Sequence, residues 1–259
     1  EILYKDEETG EYKTYREESQ GYIGDPYETE QKEIPYYKIV EELIPANKDG
    51  QYTAEDIYVT YYYKKLTFNM AVDKNVTNIM INDEAQDVLY GKLNKVEVVG
   101  SKINSTDVKI TYSIKVSNTG ELDGTATVIE NIPNNFKLNS ETGSEWRQNE
   151  EGNLEAEVEL KAGETKELKV VLNWIRGDNN FGGQTNTVEI VETENPANYE
   201  ETTTEDNKSE AEVVMGIKTG GQTRTTIFII ALTGMLITFA VFLYITEKYV
   251  KECKDRGEQ

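Results

Sequence analysis

The sequence contains no histidine and only one cysteine. Without histidine the chain lacks the commonest general base and metal ligand, which excludes triad hydrolysis and histidine-bound zinc. The single cysteine, Cys253, has no partner within the chain, so no intrachain disulfide can form. The folded part of this chain must therefore be stabilised without disulfides.

Positive charge is also scarce. The 259 residues include 27 basic and 48 acidic side chains, which give a formal net charge of -21. A protein that binds nucleic acid needs a basic surface for the phosphate backbone, so this composition excludes that class of partner. It suits a soluble, self-repelling domain.

One long apolar run stands near the C-terminus. It begins at Thr225, ends at Thr246 and contains no charged residue, asparagine or glutamine over 22 residues. A helix of this length spans roughly 33 Å, enough to cross a hydrocarbon core of about 30 Å. Residues 247–259 carry four basic side chains, so the positive-inside rule predicts a cytoplasmic tail and an extracellular N-terminal part. We predict a single-pass protein of the cell membrane.

The residues before this run are similar to a sortase signal, Leu-Pro-x-Thr-Gly. Lys218, Thr219 and Gly220 fit that pattern, whereas Gly216 and Ile217 replace its leucine and proline. Because proline sets the kinked backbone that the transpeptidase grips, we favour an anchor that stays in the membrane. Sortase-linked attachment to the cell wall is the alternative.

The chain starts at Glu1 without a methionine or a secretory leader. Since the predicted topology requires export, we expect a longer protein with an N-terminal part before this residue.

Residues 1–65 are rich in tyrosine, with twelve of the seventeen tyrosines of the chain. The stretch from Asp6 to Gly10 predicts a hairpin turn, and alternation over 57–63 predicts a strand. Because neighbours on a strand point to opposite faces, Tyr61 and Tyr63 are predicted to be core residues and Tyr62 to face outward. About 65 residues is near the lower limit for an unstapled core, so the tyrosines are expected to contribute to it.

The spacing of the glycines and tyrosines in this segment agrees with the sequence pattern of one known repeat family. The matching text includes Tyr4, Gly21-x-x-Gly24-x-x-Tyr27, Gly50-x-Tyr52 and Val59-x-Tyr61-x-Tyr63. It resembles the mucin-binding protein (MucBP) repeat of bacterial surface adhesins. The sequence departs from the pattern at Tyr36, where a glycine is usual.

The resemblance implies a small β-grasp-like module on the surface of a Gram-positive bacterium. For some members it implies contact with host mucin glycans or other glycoproteins. Tyr62 is the candidate ligand contact, because an outward tyrosine offers a flat apolar ring with a hydroxyl at its edge. The alternative is a tyrosine-rich sheet with no ligand.

Residues 66–219 contain about eight alternating segments separated by turns, with no helical period. This pattern predicts a mainly β fold, an Ig-like β-sandwich. In one segment the residues at even positions are predicted to face inward, namely Val108, Ile110, Tyr112, Ile114 and Val116. The predicted strands are 66–73, 95–99, 108–117, 125–129, 154–160, 167–174, 185–191 and 210–217.

Three motifs of residues 66–219 occur in the order and with the spacing of a known family of repeat domains. They are Val108-x-Ile-x-Tyr112, Val128-Ile-Glu130-Asn-Ile-Pro133 and Leu160-x-Ala-Gly163-Glu164. The segment is similar to the DUF11-like repeat modules of bacterial surface proteins. That resemblance implies a spacer or stalk without catalysis of small molecules.

Related surface domains cross-link a lysine of an early strand to an asparagine of a late strand, assisted by a buried acid. By this resemblance Lys74, Asn186 and Glu130 are candidates for an isopeptide bond promoted by the glutamate. In the plainer alternative, Asn186 only begins a strand, Glu130 is solvated and Lys74 lies at an edge.

The predicted order is a MucBP-like module (1–65), a sandwich (66–219), a short linker (220–224), a transmembrane helix (225–246) and a tail (247–259). Two functions remain open, an adhesin that binds host glycoprotein and a structural spacer that presents further domains. A hydrolase with paired carboxylates is disfavoured, since no pair stands out. No cofactor or metal is expected, because 205–207 matches no EF-hand loop.

Overall fold

Two separate hydrophobic cores lie along the chain, one on each side of Leu66. The computed structural model describes residues 1–10, 12–89 and 93–218, and these form β-strands with only two short 3-10 turns, Glu41–Leu43 and Gly100–Ser105. No helix in the described ranges is long and apolar enough to cross a membrane. The predicted linker, span and tail fall outside these ranges.

The first core belongs to a small mixed sheet. Its strand order is β2-β1-β6-β4, with β1 and β6 parallel at the centre, while β3 and β5 form a separate two-stranded ribbon. The prediction of a small β-rich module is confirmed. The strands are β1 (Ile2–Asp6), β2 (Tyr12–Glu17), β3 (Pro26–Glu28), β4 (Tyr37–Ile39), β5 (Asp49–Gln51) and β6 (Val59–Lys65).

The predicted turn between β1 and β2 is present. Gly10 has a φ of +65°, and its N–H donates to the Asp6 carbonyl at 2.9 Å. The Asp6 carboxylate accepts hydrogen bonds from the N–H groups of Glu8 and Thr9. Glycine is the residue that adopts this left-handed backbone without steric cost, which explains why the turn ends there.

Tyrosines fill the core of this module, as predicted. Tyr4, Tyr61 and Tyr63 are buried, and the rings of Tyr4 and Tyr61 stack with their centroids 5.8 Å apart. The hydroxyl of Tyr63 donates to the Lys32 carbonyl and accepts from the Lys32 N–H, both at 2.9 Å. Burial raises the pKa of Tyr4 and Tyr63, so both stay neutral. Hydrogen-bonded tyrosines thus build an apolar core in a module of only 65 residues.

The second core lies between two sheets, which confirms the predicted sandwich. One sheet has the order β12-β15-β10-β7-β8, and the other has the order β13-β14-β11-β16-β17-β9. The strands are β7 (Met70–Ile81), β8 (Glu84–Gln86), β9 (Asn94–Val99), β10 (Val108–Asn118), β11 (Gly124–Asn131), β12 (Phe136–Leu138), β13 (Arg147–Gln148), β14 (Leu154–Leu160), β15 (Thr165–Trp174), β16 (Gly182–Glu194) and β17 (Lys208–Lys218).

Two details of the predicted sandwich are corrected. The first strand begins at Met70 rather than Leu66, because the backbone of Thr67 and Asn69 bonds instead to the turn after β10. Ser113 was predicted to face solvent but is buried, since its hydroxyl bonds to the carboxylate of Glu167 on the neighbouring strand. The five inward residues predicted for β10 are all buried.

The two modules contact each other directly. Lys38 forms an ion pair with Glu121, and the ring of Tyr36 meets the ring of Tyr199 edge-on with centroids 6.5 Å apart. Tyr36 has a φ of +66° where the MucBP pattern has glycine, a conformation that is uncommon for a bulky residue. Its carbonyl accepts from the N–H of Leu66 at 2.9 Å. The residue with this strained backbone, Tyr36, is therefore also one that contacts the sandwich.

The sortase-like residues lie partly in the last strand. Gly216, Ile217 and Lys218 pair in parallel with β9, whereas Thr219 and Gly220 lie outside the described residues. Within the described ranges, no group of three or more acidic or cysteine side chains is placed to hold a metal ion.

Candidate functional site: a buried lysine, glutamate and asparagine

A lysine occupies a core position of β7. Along this strand, Val72, Lys74 and Val76 point to the same face and are all buried. Only 3% of the Lys74 surface is exposed. Strand alternation therefore forces the ammonium group between the two sheets.

The opposite sheet supplies a glutamate and an asparagine at equivalent core positions. Glu130 follows Ala126 and Val128 on the buried face of β11, and Asn186 precedes Val188 on the buried face of β16. The two strands are antiparallel neighbours, with Glu130 opposite Val188. Both polar residues are 0% exposed.

These positions contradict the plainer interpretation of the sequence. Glu130 is buried rather than solvated, because β11 extends to Asn131 and includes it. Asn186 does not begin its strand, since β16 starts four residues earlier at Gly182. Lys74 lies on a strand beside the short edge strand β8, yet its side chain points into the core.

The lysine and glutamate form an ion pair between the sheets. Lys74 Nζ donates to Glu130 Oε2, and both side chains are fully buried. Nζ also lies 4.9 Å from the centroid of the Tyr112 ring on β10. Of the ion pairs among the described residues, this one alone has both partners fully buried.

Burial brings the pKa values of Lys74 and Glu130 closer together. Loss of solvation lowers the pKa of Lys74 to about 8, although the neighbouring Glu130 opposes the shift. Loss of solvation raises the pKa of Glu130, opposed by Lys74 and by the Asn186 amide. Both shifts favour transfer of the proton from the ammonium to the carboxylate. The site therefore makes the pair of a neutral amine and a carboxylic acid more accessible than it would be in water.

The asparagine amide is unusual because it is buried without hydrogen bonds. Neither Oδ1 nor Nδ2 of Asn186 makes a hydrogen bond of normal geometry, although the amide lies close to Glu130 and Tyr112, and Glu130 Oε1 also lacks such a bond. Buried polar groups are normally paired, since an unmet hydrogen bond costs about 1–3 kcal/mol. The site thus combines a nucleophile, a proton carrier and an unengaged carbonyl, the three groups that amide exchange requires.

The outward tyrosine of β6 is found where predicted. Tyr61 and Tyr63 point into the core, and the half-buried Tyr62 lies on the opposite face, in register with Lys5 of β1. More exposed aromatic rings lie elsewhere in the module: Tyr22 is 85% exposed and Tyr58 is 55% exposed. Neither was predicted to be a ligand contact, although Tyr58 belongs to the alternating run over 57–63.

Comparison with known families identifies the first module. Residues 1–64 match the MucBP domain family. The match covers 64 of 259 residues and so confirms the predicted resemblance for this module only. The DUF11-like interpretation of the sandwich stays a prediction. No curated protein matches the chain.

Three solved structures are similar in part. The CARDB domain of a Pyrococcus furiosus protein, solved with di-metal ions, is 15% identical with a TM-score of 0.32, over 59% of this chain and 96% of that domain. The major pilin SpaD of Corynebacterium diphtheriae is 10% identical (TM-score 0.30; 66% of this chain, 39% of the pilin). BcpA, the major pilin subunit of Bacillus cereus, is 16% identical (TM-score 0.34; 71% and 48%). The chain thus spans less than half of either pilin.

The buried pair predicts an asymmetric response to substitution, measured in an Asn186→Ala background in which no cross-link can form. Lys74→Met should lower the free energy of unfolding at pH 7 by about 3–5 kcal/mol, because it leaves Glu130 buried without its counter-charge. Adding Glu130→Leu should restore most of the loss. Urea unfolding followed by tryptophan fluorescence reports on the sandwich, since Trp146 and Trp174 both lie in its core.

The same experiment has a pH control. The raised pKa of Glu130 means that the cost of the Lys74→Met change should shrink as pH falls through and below the ordinary glutamate pKa of about 4.3, because the acid is then mostly uncharged in both states. Equal stability of the single and double variants at pH 7 would show that the lysine does not neutralise the glutamate.

Proposed function

We propose that this chain is part of a bacterial cell-surface protein in which a β-sandwich stalk carries a MucBP module. The observation that carries the proposal is the match of residues 1–64 to the MucBP family. The direct contacts between the modules support it, because the Lys38–Glu121 pair and the Tyr36–Tyr199 contact favour one orientation of the module on the stalk. We propose no enzymatic activity toward small molecules.

The proposed ligand is host mucin or another glycoprotein, bound through the outer face of the first sheet. Tyr62 is the proposed contact, since its ring lies on that face beside Lys5. An aromatic ring packs against the apolar face of a sugar, and its hydroxyl bonds to sugar hydroxyls. Neighbouring lysines would favour acidic glycans.

A second candidate function is a spacer that presents further domains located before residue 1. The use of tyrosine within the module favours it. Tyr4, Tyr61 and Tyr63 serve the core and are not available to a ligand. In this case the module and the sandwich would together form a stalk.

We further propose that the apolar run from Thr225 to Thr246 anchors the protein in the cell membrane, with the tail in the cytoplasm. The support is its length and the four basic residues that follow. Attachment to the cell wall by sortase is disfavoured, because Gly216 and Ile217 replace the leucine and proline of the signal and belong to β17.

The sandwich is proposed to cross-link itself through an amide bond between Lys74 and Asn186. Neutral Lys74 Nζ attacks Cγ of Asn186, and protonated Glu130 donates its proton to Nδ2, which leaves as ammonia. The Glu130 carboxylate takes a proton from the attacking nitrogen in exchange. One C–N bond forms and one breaks, the acid is regenerated, and no oxidant is needed.

Such a bond would replace the missing disulfides. It would close a loop of roughly a hundred residues, and the entropy model for disulfides assigns such a loop about 4–5 kcal/mol. Unlike a disulfide, an amide is not broken by thiols.

The anchor proposal predicts the behaviour of the chain with lipid. Full-length protein should float with lipid vesicles and remain bound after an alkaline wash, whereas a chain that ends at Lys218 should stay in solution. Release of full-length protein by the wash would contradict a membrane-spanning anchor.

The adhesin proposal predicts saturable binding of residues 1–218 to immobilised mucin, lost after enzymatic deglycosylation. Tyr62→Ala should raise the Kd about tenfold or more, the usual effect of removing a central aromatic contact. Tyr22→Ala is the matched control, because it removes a more exposed tyrosine that lies outside the strands of the sheet. An unchanged Kd for Tyr62→Ala would show that the binding site does not include Tyr62. If the wild-type chain does not bind mucin, the spacer function is favoured instead.

The cross-link predicts a mass change. The intact mass of the denatured full-length chain should be lower than the sequence mass by one ammonia, and digestion should yield a branched peptide that joins Lys74 and Asn186. Lys74→Ala and Glu130→Gln should abolish the loss, whereas Lys115→Ala, which removes an exposed lysine of β10, should retain it. A wild-type mass equal to the sequence mass would exclude the bond.

A further inference from the structure

A fourth residue contributes an unpaired polar atom to the buried site. The hydroxyl of Tyr112 has no hydrogen-bond partner, although the whole residue is 0% exposed. Together with Glu130 Oε1 and both amide atoms of Asn186, it makes four unpaired polar atoms in one place, more than half of the seven found in the described part of the chain. Burying this many unpaired polar atoms lowers the stability of the fold, and apolar side chains would fill the same space without that loss.

Tyr112 is held in this position by the central strand of its sheet. β10 lies between β7 and β15, and the register places Tyr112 opposite Val76 and Ile114 opposite Lys74. The ring therefore lies one step along the sheet from the lysine, with its centroid 4.9 Å from Nζ. The Asn186 amide lies next to the hydroxyl, and burial raises the pKa of Tyr112.

Other buried tyrosines show what this hydroxyl lacks. Tyr61 and Tyr63 are also buried, at 2% exposed each, yet the hydroxyl of each bonds to the backbone of the 29–32 segment. Phenylalanine would supply the same ring at position 112 without an unpaired hydroxyl. Packing therefore accounts for the ring of Tyr112 and leaves its O–H group unexplained.

We infer that Tyr112 is a further functional residue of this site, and that its hydroxyl donates a hydrogen bond to Asn186 Oδ1 as Lys74 attacks the amide. The inference rests on the proposed cross-link. Negative charge develops on Oδ1 in the tetrahedral intermediate, and a donor placed in a dry site stabilises that charge strongly. Burial keeps the phenol protonated, so it remains a donor at every physiological pH.

This assignment separates the roles of two groups near the amide. Glu130 carries protons between the attacking and leaving nitrogens, and Tyr112 holds the oxygen. The phenol ring also confines Nζ from the side of its own sheet, which limits the directions from which the amine can approach. In the product, the same hydroxyl would remain bonded to the carbonyl oxygen of the new amide.

The test is the rate of bond formation in newly made full-length chain. Cell-free synthesis in the presence of detergent is stopped at intervals in urea, and the fraction that has lost ammonia is read by intact mass. Tyr112→Phe should slow the loss by at least about tenfold, toward the ~10²–10³-fold effect of removing an oxyanion-hole donor. Tyr63→Phe, which deletes a buried hydroxyl in the other module, should match the wild type.

The possible results are distinct. Slow but eventually complete bond formation in Tyr112→Phe, with wild-type tryptophan fluorescence, supports the inference, because a variant with a purely structural defect would also alter the fluorescence. Bond formation at the wild-type rate in Tyr112→Phe overturns the role of the hydroxyl and leaves the cross-link standing. Absence of ammonia loss in the wild type overturns the cross-link, and the role of Tyr112 with it.

Discussion

The burial of Lys74 against Glu130 is the interaction on which the rest of the sandwich depends. Taking both charges out of water carries a penalty of several kcal/mol for each ion, which their mutual attraction offsets only in good geometry. That geometry requires β7 of one sheet and β11 of the other to stay in register across the core. Any slip of one residue would turn either side chain toward solvent and leave the other charge unpaired. The pair therefore fixes how the two sheets face each other.

The same pair explains how a chain without disulfides can hold reactive groups inside its core. Surrounding valines, isoleucines and the Tyr112 ring exclude water, and this exclusion shifts the pKa of Lys74 down and that of Glu130 up. A lysine in water is a poor nucleophile at neutral pH because it is protonated. Folding itself thus raises the fraction of the amine that is neutral, so the chemistry we propose would begin only after the sandwich has formed.

Much of the sandwich could be predicted from the alternation of side chains, but the buried triad was only partly visible in this way. Asn186 stands at an inward position of the predicted strand 185–191, whereas Lys74 and Glu130 come one residue after the predicted strands 66–73 and 125–129, and the strands of the structure continue past both. The partnership between them is not visible, because β7 lies in one sheet and the other two strands lie in the opposite one. It was proposed by resemblance to related domains. Tyr112 was predicted to be buried, but its unpaired hydroxyl is visible only in three dimensions.

Other features of the structure could not be predicted from the sequence, and the reasons are physical. The strands β8, β12 and β13 have two or three residues each, too few to show alternation, and they exist because longer neighbours offer them a partner. The departure at Tyr36 was visible as a missing glycine, but its consequence was not. The structure gives this tyrosine the positive φ of a glycine and places its ring against Tyr199 of the sandwich.

The position of the proposed bond along the chain connects these features. Tension between the first module and the proposed membrane anchor would enter the sandwich at β7 and leave it through β17. A bond from Lys74 to Asn186 would carry that tension directly from β7 to β16, which is hydrogen-bonded to β17 along eight residue pairs. Residues between the two bonded positions, including most of the core, would then bear none of it. A cross-link at this place would therefore protect the sandwich from unfolding when its two ends are pulled apart. The contacts of Tyr36 and Lys38 would transmit the pulling force from the first module to the sandwich.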